Sequence, residues 1–90
     1  MEITYDADKR ARTLAERGLD FEDAPVVFAG RTLTTEDDRH DYGETRYQTL
    51  GELNGCVVMV VWTPRSPGRH IITMWKANDR QEKRYKAQLE

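Results

Sequence analysis

Residues 44–63 read ETRYQTLGELNGCVVMVVWT, and the architecture follows from how this stretch divides. At its centre stands Asn54-Gly55, a dipeptide suited to a two-residue turn in which both positions take positive φ. Before it, Glu44 to Leu53 is β-compatible, with Thr45, Tyr47 and Thr49 at alternate positions. After it, Cys56 to Thr63 is Val-rich and nearly all apolar, the pattern of a central strand covered on both faces. Cys56 is expected to be buried filler at the start of that strand. Two strands joined by a tight hairpin therefore form the middle of an antiparallel sheet.

Toward the C-terminus, Pro64 to Gly68 reads as a loop and Arg69 to Trp75 as a strand. Strict alternation puts Ile71, Thr73 and Trp75 on one side and His70, Ile72 and Met74 on the other. Asn78 and Gln81 form a capping box for a last helix, with Asp79 in its first turn. Toward the N-terminus, Arg31 to Glu36 alternates as a strand, and Asp37 to Gly43 is a polar turn in which His40 is expected to be solvated. Phe21 to about Phe28 reads as a short helix after Asp20, its regularity limited by Pro25. Ala7 to Arg17 is a helix between an Asp6 N-cap and a left-handed Gly18. The expected fold is one α+β domain over residues 1–90: N-terminal helices, a four-stranded antiparallel meander sheet and a C-terminal helix. Glu2 to Tyr5 alternates and suits a short first strand beside the meander.

Ninety residues fit one domain, and 38% hydrophobic residues supply a core despite a mean hydropathy of -0.82. The longest apolar run, Cys56 to Trp62, falls far short of the roughly 20 residues of a membrane span. The first residues lack the basic start and apolar stretch of a secretory signal. A single cysteine forms neither an internal disulfide nor a zinc site, so the reducing cytoplasm is the expected compartment.

The net charge of -2 conceals an asymmetry. Residues 20–44 carry eight acids against Arg31 and Arg39. Residues 65–86 carry Arg65, Arg69, Lys76, Arg80, Lys83, Arg84 and Lys86 against Asp79 and Glu82. A basic end of this kind points to nucleic acid or an acidic partner, or else to a solvated charged surface. No phosphate-binding glycine loop, His-x-x-x-His pair or serine elbow occurs. What remains is a set of cations around the last strand. His70 and Lys76 bracket it, Arg65 and Arg69 precede it, and Arg46 lies on the first strand of the hairpin. A meander can bring such groups to one sheet face, where fixed cations stabilise the charge that gathers on a scissile phosphate. RNA contains its own nucleophile, the 2′-OH, so its cleavage needs a base, an acid and a positive cradle. The alternative is that each cation is an ordinary surface charge. Trp75 could stack a base, cover the core or anchor a partner.

Four segments together resemble the BrnT family of type II toxins. The first is Tyr5-Asp6-x-x-Lys9 with Gly18-Leu19-Asp20-Phe21-Glu22-Asp23-Ala24. The second is Asp38-Arg39, then Gly43-Glu44-Thr45-Arg46 and Leu50-Gly51. The third is Gly55 with the apolar strand ending in Thr63. The fourth is Ile71-Ile72-Thr73-Met74-Trp75-Lys76-Ala77, followed by Glu82, Arg84 and Tyr85. The resemblance implies a RelE-like ribonuclease fold and a metal-independent endoribonuclease that blocks translation, with no cofactor. It also implies an RNA substrate and a BrnA-like antitoxin of the ribbon-helix-helix DNA-binding type, in a complex of dimeric or higher order. By that resemblance Arg46, Lys76 and Lys9 hold phosphate charge, and Glu44 or His70 transfers protons. Arg17, Arg65, Arg69, Trp75, Arg80 and Arg84 are the further candidates for contact with RNA or antitoxin. The chain departs from the family pattern at Arg17, where a histidine is usual, and at His70 and Trp75, where arginines are usual. Those departures motivate a second reading: a weakened nuclease whose main task is to hold its antitoxin.

Overall fold

The computed structural model describes residues 1–39 and 41–89; His40 and Glu90 lie outside the described residues. The chain begins with strand β1 (Ile3–Tyr5) and helix α1 (Ala7–Arg17). A 3₁₀ turn (Phe21–Asp23) leads into helix α2 (Ala24–Ala29). Strands β2 (Thr32–Glu36), β3 (Tyr47–Leu53), β4 (Cys56–Arg65) and β5 (Gly68–Lys76) follow, and helix α3 (Asp79–Leu89) closes the chain. The four later strands form the expected antiparallel meander, but the sheet has a fifth member. β1 joins the outer edge of β5 in parallel, giving the order β1-β5-β4-β3-β2 and a mixed sheet.

Local chemistry sets most boundaries. Asp6 accepts from the Asp8 and Lys9 amides to start α1, and Gly18 ends it at φ 69°. Pro25 splits the anticipated second helix: the 3₁₀ turn precedes it and α2 restarts with the proline in its first turn, where the missing N–H is harmless. Asn54 and Gly55 take φ of 52° and 81°, the conformation the hairpin requires. The Pro64–Gly68 segment is tighter than a loop, since β4 and β5 stay paired up to Arg65 and Gly68.

Each sheet face carries its own apolar cluster. On one, Phe21, Ala24 and Val27 pack on Leu53, Val58, Val60, Trp62, Ile71 and Met74. On the other, α3 lays Tyr85 against Leu50, Met59 and Val61, and the Tyr85 hydroxyl donates to the Arg31 carbonyl at 2.8 Å. A β-bulge makes the strict alternation expected of β5 fail. Val61 pairs with Thr73 and Trp62 with Ile71, so Ile72 is an extra residue. Below the bulge the faces exchange. Ile71 shares the first cluster with Met74, while Ile72 and Trp75 belong to the second. Cys56 also departs from expectation: it opens β4 at the hairpin tip and is exposed.

Candidate functional site

α3 covers only the half of its face nearest the hairpin tip. The other half is open, and the bulge turns His70 onto it beside Thr63. β1 pairs Thr4 with His70, and the Thr4 hydroxyl lies 2.8 Å from His70 Nδ1. The segment entering β3 brings Glu44 and Arg46 to the same place, and the end of β4 brings Arg65. Lys9, in the first turn of α1, closes the far wall. These side chains, with Asp6, line one cleft of about 250 Å³ floored by Ile71 and Ile72.

Glu44 stands between two cations, 3.6 Å from Arg46 Nε and 3.8 Å from Arg65 Nη2. The Arg46 guanidinium lies 3.9 Å from the centroid of the Tyr42 ring, a cation–π contact. Its Nε is buried and has no hydrogen-bond partner among the described residues. Its acid partner, the Glu44 carboxylate, stands at ion-pair rather than hydrogen-bond distance, so the guanidinium keeps N–H capacity for a further oxyanion. His70 is held below its ordinary pKa, first by burial and then by Arg65, with Lys9 adding and Glu44 and Asp6 opposing. It is therefore a neutral imidazole at neutral pH, able to accept a proton. Among the described residues no group of three or more His, Cys, Asp or Glu side chains is placed to hold a metal ion.

The remaining candidates lie elsewhere. Lys76 pairs with Val58 at the opposite end of β5 and on the opposite face. Six residues of strand, roughly 20 Å, separate it from His70, so it is not part of the cleft. Arg69 faces the first cluster, its guanidinium 4.2 Å from the Trp62 ring centroid and 4.4 Å from that of Phe28. Arg80 and Arg84 are exposed on α3, away from the cleft. Trp75 is not an exposed anchor among cations: it is half-buried against the α3 cluster, and its Nε1 donates to Gln81 Oε1 at 3.3 Å. Arg17 donates to the Met74 carbonyl at 2.7 Å and to the Thr73 hydroxyl at 3.3 Å, tying α1 to β5. Thr4 was not anticipated; pairing of the first strand with the His70 strand is the signal that would have found it.

A family model described as "Ribonuclease toxin, BrnT, of type II toxin-antitoxin system" matches residues 5–82. The chain belongs to the BrnT family. No curated protein shows significant similarity to it. The match spans every element from the end of β1 to the first turn of α3, and so all the cleft residues named above. A BrnT-family chain is a ribonuclease toxin by class and has an antitoxin partner by class. No helix among the described residues is long and apolar enough to cross a membrane.

Proposed function

We propose that this BrnT-family protein cleaves RNA at the cleft formed by Lys9, Glu44, Arg46, Arg65 and His70, and so inhibits translation. The observation that carries the reading is the convergence of Lys9, Arg46 and Arg65 on one cleft beside a neutral histidine. Arg46, Arg65 and Lys9 hold the scissile phosphate and stabilise its developing charge. Glu44 sets the positions of the two arginines. The mechanism requires the tautomer in which His70 Nδ1–H donates to the Thr4 hydroxyl, 2.8 Å away, leaving the Nε2 lone pair to act as base. Nε2 takes the 2′-OH proton as that oxygen attacks phosphorus. The bond to the 5′-oxygen breaks, and water protonates the leaving oxygen. The products are a 2′,3′-cyclic phosphate and a 5′-hydroxyl end.

Purified protein incubated with RNA, with and without chelator, tests this. Cleavage in both conditions is expected, with a loss of 10²-fold or more in His70→Gln. No cleavage by folded protein in either condition sinks the enzymatic reading. A BrnA-like ribbon-helix-helix antitoxin, supplying acids over the cleft, is the proposed partner; the complex should then be tighter at low salt.

The weakened-nuclease reading makes a different prediction. Trp75 packs against the α3 cluster and outside the cleft, so on the cleft reading an arginine at that position adds no cation to the site. Trp75→Arg should leave toxicity in cells unchanged. Toxicity appearing only in that variant favours the second reading.

A further inference from the structure

The cleft does not end at Lys9. β1 pairs with β5 only as far as Ile71, and beyond that point α1 takes over the edge of β5. Between the two lies a second concavity of about 170 Å³, lined by Lys9, Arg12, Thr13, Glu16, Arg17 and Thr73. Lys9, Arg12, Thr13 and Glu16 are spaced i, i+3, i+4 and i+7, so one face of α1 supplies most of the wall. Arg17 supplies the fixed element: its two contacts to β5 hold the guanidinium in place, and five N–H donors leave capacity for another acceptor. Arg12 makes no ion pair among the described residues. Three cations thus face a single carboxylate, that of Glu16.

Lys9 lines both concavities. It lies one helical turn, roughly 5 Å, from Arg12 and Thr13, which is the scale of a single step along a nucleic-acid backbone. We infer that the Lys9–Arg12–Arg17 concavity is a second phosphate subsite, holding the backbone phosphate next to the scissile one. This rests on the RNA reading of the cleft. It adds a direction: the strand enters at the β4–β5 end and leaves along α1. A phosphate suits the site better than an acidic protein segment. The space is small and concave, the arginine is preorganised for a planar two-oxygen contact, and the shared lysine fixes the distance to the reaction centre.

The test uses 2′-O-methyl RNA of two, three and four nucleotides, which binds without being cleaved, and a polyglutamate peptide as an acidic protein probe. In the unaltered protein, affinity should step up at the length that first supplies a flanking phosphate. Arg12→Gln, a change at an exposed side chain, should remove that step. The longest oligonucleotide should weaken about five- to tenfold and the shortest should be unaffected, with a salt slope shallower by about 0.7. Equal effects at every length, no effect at any length, or weakening of polyglutamate alone would overturn the subsite. Binding of the dinucleotide without an Arg12-dependent step overturns the subsite and spares the cleft. No oligonucleotide binding at any length overturns both.

Discussion

His70 meets opposing fields. Burial and the Arg65 and Lys9 charges disfavour its protonated form, while Glu44 and Asp6 favour it. The first group wins, so the folded pKa lies below 6.5 and the imidazole is free to accept a proton near neutrality. The signs give a test. Glu44→Gln removes a favourable charge and should move the His70 pKa further down. Arg65→Gln should move it up. Following the ring protons by NMR through a pH titration reads both, and shifts in the reverse order would contradict the placement. The same depression makes stability fall as pH drops from about 6.5 toward the native pKa, because there the unfolded chain binds a proton that the folded one does not. Thr4→Val should leave the fold intact and alter the acid limb of the cleavage profile by freeing Nδ1. Residue types were legible in the sequence: arginines and a histidine around one strand already suggested phosphate chemistry. Contact partners were not, since Arg69 and Trp75 look like Arg65 and His70 in a string but face apolar clusters.

The bulge at Ile72 decides what β5 presents. Alternation counted down from Trp75 would send His70 to the face occupied by α2. One extra residue returns it to the open face with Arg46 and Arg65. No sequence signal marks the bulge, because Ile71, Ile72 and Thr73 are all good strand residues. Gly68, by contrast, had a legible place in a turn, but its reason lies in β1. A Cβ on Gly68 would overlap the Glu2 carbonyl, and the Arg69 amide donates to that same carbonyl at 3.0 Å. Gly68→Ala should therefore cost about 1–3 kcal/mol in denaturant unfolding and loosen β1 from β5. Its NMR signature should be loss of the Thr4–His70 contact while the β3–β4 amides keep their protection. If β1 stays in register, the close approach is not what that glycine serves.

The linear charge asymmetry does not survive as two hemispheres. Cations of the basic end disperse: Arg65 to the cleft, Arg69 to the aromatic pair, Lys76 to the far end, and the rest to α3. The cleft recruits Lys9 and Arg46 from outside the basic end. Composition alone could not foresee this, because sheet order mixes distant segments; β1 and β5 are neighbours some 66 residues apart, as Thr4 and His70 show. The helix caps, the hairpin and the meander were readable because each depends on nearby residues, whereas the parallel fifth strand depends on a long-range pairing. Elsewhere the acids are tied down. Asp37 is buried and held below its ordinary pKa by Arg39, and Asp20 by Arg10. Their contribution is complete above about pH 4 and is lost as pH falls through their native values. Asp37→Asn should flatten that acid limb of the stability curve, measured by thermal unfolding from pH 5 to pH 2; an unchanged limb would show that the pair contributes nothing.

Cys56 opens the ten-residue strand that ends at Arg65. Nine steps of strand place the two about 30 Å apart, close to the longest dimension of the molecule, 34 Å. The chain's single thiol is thus exposed at the pole opposite the cleft. A fluorophore or surface tether attached there by maleimide chemistry gives every molecule the same orientation, with its cations facing solution. Binding of RNA fragments and of antitoxin can then be measured on the unmutated protein.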